Sequence, residues 1–179
     1  MSNLETAVLG NGCFWCTEAI FKNLRGVVSV MPGYSGGTKE NPSYEEVSTG
    51  TTGHAETAKI EFDPTIIPYS DLLEIFFNTH DPTTLNRQGN DIGTQYRSII
   101  LYNSDEQKKT AEEVLAKLQT SGQFKDPIVT EIKPLETFYP AEDYHKDYYD
   151  HHKDEPYCRL IISPKLQHLR EKYAAKLKD

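Results

Sequence analysis

Two cysteines separated by a pair of aromatic residues form the segment of this chain best suited to covalent chemistry, Gly12-Cys13-Phe14-Trp15-Cys16. The segment lies between a predicted strand and a predicted helix, so Cys13 falls near the first helical turn. Unpaired backbone N–H groups and the positive end of the helix dipole favour a thiolate at that place. Gly12 allows the backbone to approach a ligand closely. We therefore predict that Cys13 is a nucleophile beside an apolar pocket, lined by Phe14 and Trp15, for a methyl or thioether group.

Other interpretations of the two cysteines remain open at this point. His151, His152 and Cys158 could complete a zinc site, although structural zinc usually has two closely spaced ligand pairs. Inert burial of the thiols is a further possibility, but an exposed helix start is a poor place for inert thiols. A general thiol–disulfide oxidoreductase fits Cys-x-x-Cys after a strand, yet the bulky aromatic pair does not suit docking onto a protein disulfide. We predict no metal and no cofactor.

Acids and hydrogen-bond donors occur in two further segments. They are Tyr44, His54 and Glu56 within residues 41–56, and Asp91 and Tyr96 within residues 89–98. If Glu56 is buried, desolvation raises its pKa and keeps it protonated near neutral pH, where it can act as an acid. Tyr96 can supply a phenolic donor. Each also has a purely structural interpretation: a solvated strand end for Glu56, a core tyrosine for Tyr96 and a turn histidine for His54.

Six segments, taken in order, closely resemble the peptide-methionine sulfoxide reductase A family. They are GCFWCTE (12–18), GYSGG (33–37), NPSYEEV (41–47), GHAE (53–56), FFNTHDPTT (76–84) and GTQYRS (93–98). The resemblance extends from about Ala7 to about Cys158. It implies thiol-dependent reduction of methionine S-sulfoxide, free or in proteins, as a repair of oxidative damage. It also implies thioredoxin as the protein that supplies the electrons.

The resemblance implies a role for each candidate residue. Cys13 attacks the sulfoxide and is left as a sulfenic acid, while Glu56 protonates the oxygen. The implied catalytic group is Cys13, Glu56, Tyr44, Tyr96 and Asp91, in which the tyrosines hydrogen-bond the oxygen and Asp91 orders the pocket. The implied substrate-binding group is Phe14 and Trp15 around the S-methyl group, with His54 in a supporting place.

A second cysteine must resolve the sulfenic acid, and the sequence offers two. Cys16 lies three residues from Cys13, which puts both side chains on one helix face at the Cα separation of roughly 5–6 Å that a disulfide needs. Cys158 follows Pro156 and Tyr157 in a stretch that we expect to be irregular and mobile. The resemblance matches it to a tail cysteine that commonly does this work. We favour Cys158, with Cys16 as the alternative or as a relay between the two.

Composition limits the class of protein. The chain has 179 residues, 37% apolar and 26% charged, which predicts one domain over residues 1–179 and, we expect, a monomer. A net charge of −8 provides no basic stripe for nucleic acid. We find neither a signal peptide nor an apolar stretch of membrane-spanning length. Three cysteines favour a reducing compartment, and we expect the cytoplasm.

Hydrophobic patterning predicts the elements that position these residues. The order begins with strand 6–10, a helix that ends at Gly26, strand 26–34, loop 35–53, strand 56–64, a helix capped by Ser70, loop 81–95 and strand 96–103. A helix that begins at Ser104, strand 128–134, a Tyr-rich helix over 141–151 and a C-terminal amphipathic helix follow. This β-α-β-β-α-β order predicts an α+β fold, a ferredoxin-like split βαβ plait with additional C-terminal helices, and the family resemblance implies the same fold.

Overall fold

The structure, a computed structural model, describes residues 3–179. The strands are β1 (Glu5–Asn11), β2 (Val27–Ser35), β3 (Ala55–Phe62), β4 (Arg87–Gln88), β5 (Asp91–Ile92), β6 (Ser98–Tyr102), β7 (Glu131–Pro134) and β8 (Phe138–Pro140). The α-helices are α1 (Phe14–Phe21), α2 (Tyr44–Ser48), α3 (Tyr69–Asn78), α4 (Asp105–Thr120), α5 (Tyr148–His151) and α6 (Ser163–Tyr173). A π-helical turn, Cys158–Ile162, leads directly into α6, and single 3₁₀ turns occur at Thr94–Tyr96, Asp143–His145 and Ala174–Lys176.

Six strands form one sheet in the order β7-β6-β1-β3-β2-β8, and β4 pairs with β5 in a separate ribbon. All neighbours in the large sheet are antiparallel except β6 and β7, which are parallel. The central position of β1 and β3 brings the end of β1, which leads into the Cys13 segment, close to the start of β3, which carries Glu56. In this register Leu9 lies opposite Ala58.

Alternation along the strands divides the apolar side chains between the two faces of the sheet. Leu9 and Ile100 belong to the large core, to which α1, α3, α4 and α6 contribute. Val8 and Ile99, one residue earlier on the same strands, belong to a smaller cluster on the other side. The catalytic helix α1 therefore packs on the main core face. Within residues 3–179, no helix is both long and apolar enough to cross a membrane.

The observed elements follow the predicted α+β order, with differences in the connections. The expected loop 35–53 contains α2, which begins with a capping box between Ser43 and Glu46. The expected loop 81–95 contains the β4–β5 ribbon, and the strand expected at 128–134 is shortened to β7. The Tyr-rich helix expected at 141–151 was wrong as one element, because a residue with left-handed backbone, Asp147 at φ 54°, separates the 3₁₀ turn from α5.

The expectation that Cys158 lies in an irregular, mobile stretch was wrong. Cys158 is the first residue of the π-helical turn and is 0% exposed within the main core. The physical reason is the helical spacing of the buried residues Cys158, Ile162, Leu166 and Leu169. Cys158 and Ile162 continue the buried face of α6 for two turns before Leu166, so Cys158 packs in the core. The preceding charged residues obscure this pattern in the sequence.

Candidate active site

Cys13 occupies the junction between β1 and α1, where its carbonyl oxygen accepts a hydrogen bond from the N–H of Cys16 at 3.0 Å. It is the N-cap residue of α1 and is only 8% exposed. Gly12 makes the turn possible with φ of 109°, a conformation that side-chain-bearing residues rarely adopt. A Cβ atom there would also lie 2.9 Å from Cγ of Gln88. The turn therefore requires glycine and fixes the sulfur at the start of the helix.

The pKa of Cys13 differs from the sequence expectation. Burial raises its pKa well above the ordinary value, and the neighbouring Glu56 and Cys16 add to this rise. A hydrogen bond from the backbone N–H of Trp15 lowers it, as expected of a helix start, but this effect is the smaller one. The helix start thus favours the thiolate, as expected, but burial favours the neutral thiol more strongly. Cys13 must therefore lose its proton during the reaction.

Glu56 is the buried acid of the site. It is 1% exposed, and its Oε1 accepts a hydrogen bond from the backbone N–H of Phe14 at 3.1 Å. Its Oε2 is buried without a hydrogen-bond partner among residues 3–179. Burial raises the pKa of Glu56 to about 8, against the lowering effect of the Phe14 hydrogen bond, and Asp91 raises it further. The carboxyl group is therefore neutral near pH 7 and has one oxygen free for a ligand.

Tyr44, Tyr96 and Asp91 lie within electrostatic reach of the same two groups. Burial, with smaller contributions from Glu56 and Cys13, raises the pKa of Tyr44 to about 12. Burial likewise raises the pKa of Tyr96, again with contributions from Glu56 and Cys13. Asp91 acts on the pKa of Cys13 and of Glu56. The structure thus brings together all five residues of the expected catalytic group, with both phenols protonated and able to donate.

The aromatic pair beside Cys13 is held by residues that sequence reasoning missed. The indole Nε1–H of Trp15 donates to Nδ1 of His145 at 3.0 Å, and the indole stacks on Tyr148 with centroids 3.7 Å apart. The His145 ring also contacts Phe14, with centroids 4.9 Å apart. His145 is fully buried, and burial lowers its pKa, so the neutral ring remains an acceptor for Trp15.

Tyr157 was the other residue missed. Its hydroxyl donates to Oδ2 of Asp91 at 2.6 Å and lies 3.8 Å from Sγ of Cys16. It therefore joins the Asp91 loop to the cysteine helix. Tyr148 and Tyr157 belong to the tyrosine segment, residues 139–157, which carries five tyrosines. Neither tyrosine was assigned a role in the site from the sequence, and the density of tyrosine and histidine was the signal available.

Polar contacts with α1 hold the tyrosine segment in place. The backbone N–H of Asp147 donates to Oε1 of the buried Glu18 at 2.8 Å, and Lys22 forms ion pairs with Asp147 and Asp150. Burial raises the pKa of Glu18 to about 7. Because Glu18 and Lys22 follow Cys13 on the same helix, these contacts fix the aromatic wall relative to the thiol.

His54 lies in the loop scaffold. Its Nδ1 accepts a hydrogen bond from the N–H of Gly37 at 3.0 Å, and its Nε2 lies 2.7 Å from the carbonyl oxygen of Lys39. Both ring nitrogens are thus occupied by the loop before α2. This geometry supports an indirect contribution of His54 to the site. His54 fixes the loop that leads to Tyr44, and it lies two residues before Glu56 in the chain.

The three cysteines are buried free thiols. Cys16 lies close enough to both Cys13 and Cys158 to influence the pKa of each thiol. No group of three or more His, Cys, Asp or Glu side chains within the described chain is arranged to hold a metal ion. The zinc interpretation, which needed His151 and His152 beside the cysteines, has no such cluster to rest on.

A cavity of about 330 Å³ opens beside Cys13, and we call it the Cys13 cavity. Its lining comprises Cys13, Gln88, Gly89, Asn90, Asp91, Tyr157, Leu160, Ile161 and Lys165. The cavity gives a small ligand access to a thiol that is otherwise enclosed. The lining does not include Glu56, Tyr44 and Tyr96, nor the aromatic pair Phe14 and Trp15. A soft nucleophile with a neutral acid and phenolic donors nearby suits transfer of an oxygen atom from sulfur.

The chain matches the peptide methionine sulfoxide reductase family over residues 5–178. It belongs to this family. A curated relative, the peptide methionine sulfoxide reductase MsrA of Saccharolobus solfataricus, is 59% identical over 175 residues and covers 98% of both chains. The family match spans the cysteine helix, the Glu56 strand, the Asp91 loop and the tyrosine segment alike.

The solved structure of methionine sulfoxide reductase A of Corynebacterium diphtheriae superposes with a TM-score of 0.76 at 38% identity, covering 83% of this chain and 75% of that one. Reduced Mxr1 from Saccharomyces cerevisiae superposes with a TM-score of 0.80 at 33% identity, covering 87% of this chain and 89% of that one. Mxr1 in complex with Trx2 gives a TM-score of 0.57 at 25% identity, covering 81% and 84%. The mixed α+β architecture is therefore that of the family.

Burial of Glu56 predicts a pH-dependent effect on stability. Its folded pKa of about 8 exceeds the ordinary value of 4.5, so the unfolded chain ionises first as the pH rises and the wild type loses stability across that window. Glu56→Gln removes this loss. We expect the variant's advantage in free energy of unfolding to grow from near zero at pH 4 to about 3 kcal/mol at pH 7, measured by urea denaturation.

Glu106→Gln, at an exposed position in α4, is the control for replacing a carboxylate by an amide. A Glu56→Gln advantage that stays constant between pH 4 and pH 7 would contradict the assignment of Glu56 as a buried neutral acid.

Proposed function

We propose that this protein reduces methionine S-sulfoxide, free or in proteins, to methionine and so repairs oxidative damage. The observation that carries the proposal is the unpartnered Oε2 of neutral Glu56, buried within electrostatic reach of the Cys13 thiol. A sulfoxide oxygen is a poor leaving group until it is protonated, and this pair supplies both the proton and the nucleophile. The family membership supports the same substrate.

The reductive step balances with the residues present. Cys13 attacks, the sulfur–oxygen bond of the substrate breaks, and the oxygen passes to the Cys13 sulfur. The substrate sulfur gains the two electrons that Cys13 loses, giving methionine and a sulfenic acid. Glu56 gives a proton to the oxygen and regains one from the Cys13 thiol, so the carboxyl group ends as it began. Tyr44 and Tyr96 stabilise the oxygen as charge develops on it.

The aromatic wall explains selection of one sulfoxide epimer. Phe14 and Trp15 are fixed by His145 and Tyr148, so the S-methyl group has one place to bind. The oxygen must at the same time face Glu56. A chiral sulfur with both substituents fixed is accepted in one configuration, which the family assigns as S.

Resolution of the sulfenic acid proceeds through Cys16. Burial of Cys158 removes the argument that a mobile tail reaches Cys13 directly, whereas Cys16 lies one helical turn away from Cys13. The Cys16 thiol attacks the sulfenic acid, forms the Cys13–Cys16 disulfide and releases water. The Cys158 thiol then attacks Cys16, which frees the Cys13 thiol and leaves a Cys16–Cys158 disulfide. Cys16 thus acts as the relay between the other two.

Thioredoxin is the proposed reductant of the final disulfide. The support is the solved complex of Mxr1 with Trx2, whose Mxr1 chain shares this fold. A dithiol donates two electrons and two protons to the disulfide and is itself oxidised to a disulfide. Because Cys158 is buried, we expect the π-helical turn to open locally before thioredoxin reaches it.

The finer points of fold and location are also proposals. The central strand order β6-β1-β3-β2, with all neighbours antiparallel, supports a ferredoxin-like plait to which β7, β8 and α6 are added. A single core shared by the N-terminal strands and α6 supports one domain over residues 1–179. Three free thiols suit a reducing compartment, and we place the protein in the cytoplasm as a monomer.

Turnover on the separated R and S epimers of methionine sulfoxide, with dithiothreitol as reductant, tests the proposed function. We expect reduction of the S epimer alone, and none by Cys13→Ser, because an alcohol is far too weak a nucleophile. Cys16→Ser is the control, since it keeps the first reductive turnover. Comparable rates on both epimers, or turnover by Cys13→Ser, contradict the proposal. Disulfide reduction without sulfoxide reduction would instead indicate a general thiol–disulfide oxidoreductase.

Glu56→Gln tests the acid. The amide still accepts the Phe14 hydrogen bond but cannot protonate the oxygen, so we expect the single-turnover rate of methionine release to fall by a factor on the order of 10²–10⁴. In the wild type this rate should fall as the pH rises through about 8, where Glu56 ionises. An unchanged rate in the variant would mean that Glu56 has no part in proton transfer.

The cysteine relay is tested by oxidising each enzyme with one equivalent of substrate and mapping disulfide-linked peptides by mass. We expect Cys158→Ser to stop at a Cys13–Cys16 disulfide and the wild type to end with Cys16–Cys158. Cys16→Ser should accumulate the Cys13 sulfenic acid, because Cys158 is enclosed in the core. Rapid formation of a Cys13–Cys158 disulfide in Cys16→Ser would show direct resolution instead.

A further inference from the structure

Lys165 lies on α6 and has no role in the reaction described above. Its side chain lines the Cys13 cavity together with Cys13, Asp91 and Tyr157. The residue is half-buried, and no carboxylate of the described chain lies within ion-pairing distance of its Nζ. Its positive charge therefore has no permanent carboxylate partner in the described part of the chain. This placement suggests a partner that is charged only during the reaction.

Cys16, on the helix that α6 packs against, becomes an anion during the reaction. Tyr157, which shares the cavity wall with Lys165, has its hydroxyl 3.8 Å from Sγ of Cys16. Helix α6 packs against α1, which carries Cys16. Cys16 must become a thiolate to attack the sulfenic acid, because the thiolate is the nucleophile in such reactions.

We infer that Lys165 activates the resolving cysteine: its ammonium group stabilises the thiolate of Cys16 when Cys16 attacks the Cys13 sulfenic acid. The inference rests on the proposed function. It assigns Lys165 to the second step of the cycle and gives it no part in the first. Lys165 acts through Cys16.

The charges around Cys16 agree with this assignment. Burial raises the pKa of Cys16, and Lys165 is the strongest of the influences that lower it. The contact with the Tyr157 hydroxyl also lowers the pKa, whereas Asp91 and Glu56 raise it. Among these influences Lys165 is the one cation, and its positive charge partly opposes the larger effect of burial.

Cys13 and Cys16 therefore differ in the charges that surround their thiols, and this difference suits attack on the sulfoxide by Cys13 and attack on the sulfenic acid by Cys16. Glu56 and Cys16 both add to the effect of burial on the pKa of Cys13, so its thiol remains protonated until substrate binds. Cys16 has a nearby cation and is the better source of thiolate once the sulfenic acid has formed. Resolution then consumes one thiolate and one sulfenic acid, and the hydroxyl leaves as water with a proton from the solvent.

The experiment separates the two chemical steps in single turnover. Reduced enzyme is mixed with one equivalent of methionine S-sulfoxide, methionine release is measured, and the sulfenic acid and disulfide are followed by dimedone trapping and thiol counting. All variants carry Cys158→Ser, so that the Cys13–Cys16 disulfide is the end point. Variants are Lys165→Met, which keeps the stem without the charge, Lys165→Gln as a second neutral variant, and Lys165→Arg as the conservative replacement.

For Lys165→Met and Lys165→Gln we expect disulfide formation at pH 7 to slow about 10-fold, with its pH profile displaced upward by about one unit. Methionine release should stay within about 2-fold of the parent, and Lys165→Arg should restore resolution. Arg170→Met, an exposed charge loss on the same helix, should change neither step.

Three results overturn the inference. Unchanged disulfide formation and pH profile in both neutral variants would show that the charge does not act on Cys16. A slower resolution with an unmoved pH profile would indicate a packing effect. A rise in the substrate concentration needed for methionine release, with resolution intact, would indicate that Lys165 binds an anionic group of the substrate.

Hydrogen peroxide provides an independent route to the Cys13 sulfenic acid. If the wild type releases no methionine from the sulfoxide, the proposed function fails, and the Lys165 effect on disulfide formation is then measured after peroxide oxidation. Failure of the two proposals is thus observed in separate measurements.

Discussion

The site depends on one hydrogen bond, which the backbone N–H of Phe14 donates to the buried carboxyl group of Glu56 on strand β3. It joins the first residue of α1 to Glu56 at 3.1 Å. The helix start has unpaired N–H groups to satisfy, and Glu56 needs a partner to be buried at all. Each therefore meets a requirement of the other. Because Cys13 directly precedes Phe14, this hydrogen bond also holds the acid near the Cys13 thiol.

The low polarity around this contact sets the charge states of the whole site. Burial keeps Glu56 and Cys13 neutral near pH 7 by raising both pKa values. The site at rest therefore holds few charges, and charge appears only as the oxygen of the substrate accepts a proton. Fixed donors such as Tyr44 and Tyr96 stabilise developing charge most strongly in surroundings that contain little water.

Much of the fold and the site could be predicted from the sequence, because the signals were local. Strand and helix patterns gave the main order, and the Cys13 segment stood out by composition. Whether Glu56 was buried could not be decided from its position at a strand end, since burial depends on β1 and α1 packing over it. The burial of Cys158 could not be predicted from the local sequence either, because its helical turn is stabilised by core packing rather than by local propensity.

The contacts of the tyrosine segment were the hardest to foresee. His145 and Tyr148 meet Trp15 across more than 120 positions of chain, and nothing in their own neighbourhood specifies this partner. A tyrosine that stacks on the active site can be distinguished from a tyrosine on a solvated helix face only by its packing in three dimensions. The resemblance to a family located the residues that its motifs name and was silent on these.

The stacking of Trp15 on Tyr148 also makes the protein its own optical reporter. Trp15 is the single tryptophan of the chain. Its emission therefore arises from one indole, which lies two residues after Cys13 at the start of α1 and not in a distant part of the fold. Arrival of a ligand, oxidation of the adjacent sulfur, or displacement of the tyrosine segment each changes the surroundings of that chromophore. The catalytic cycle is consequently accessible to stopped-flow fluorescence without any label.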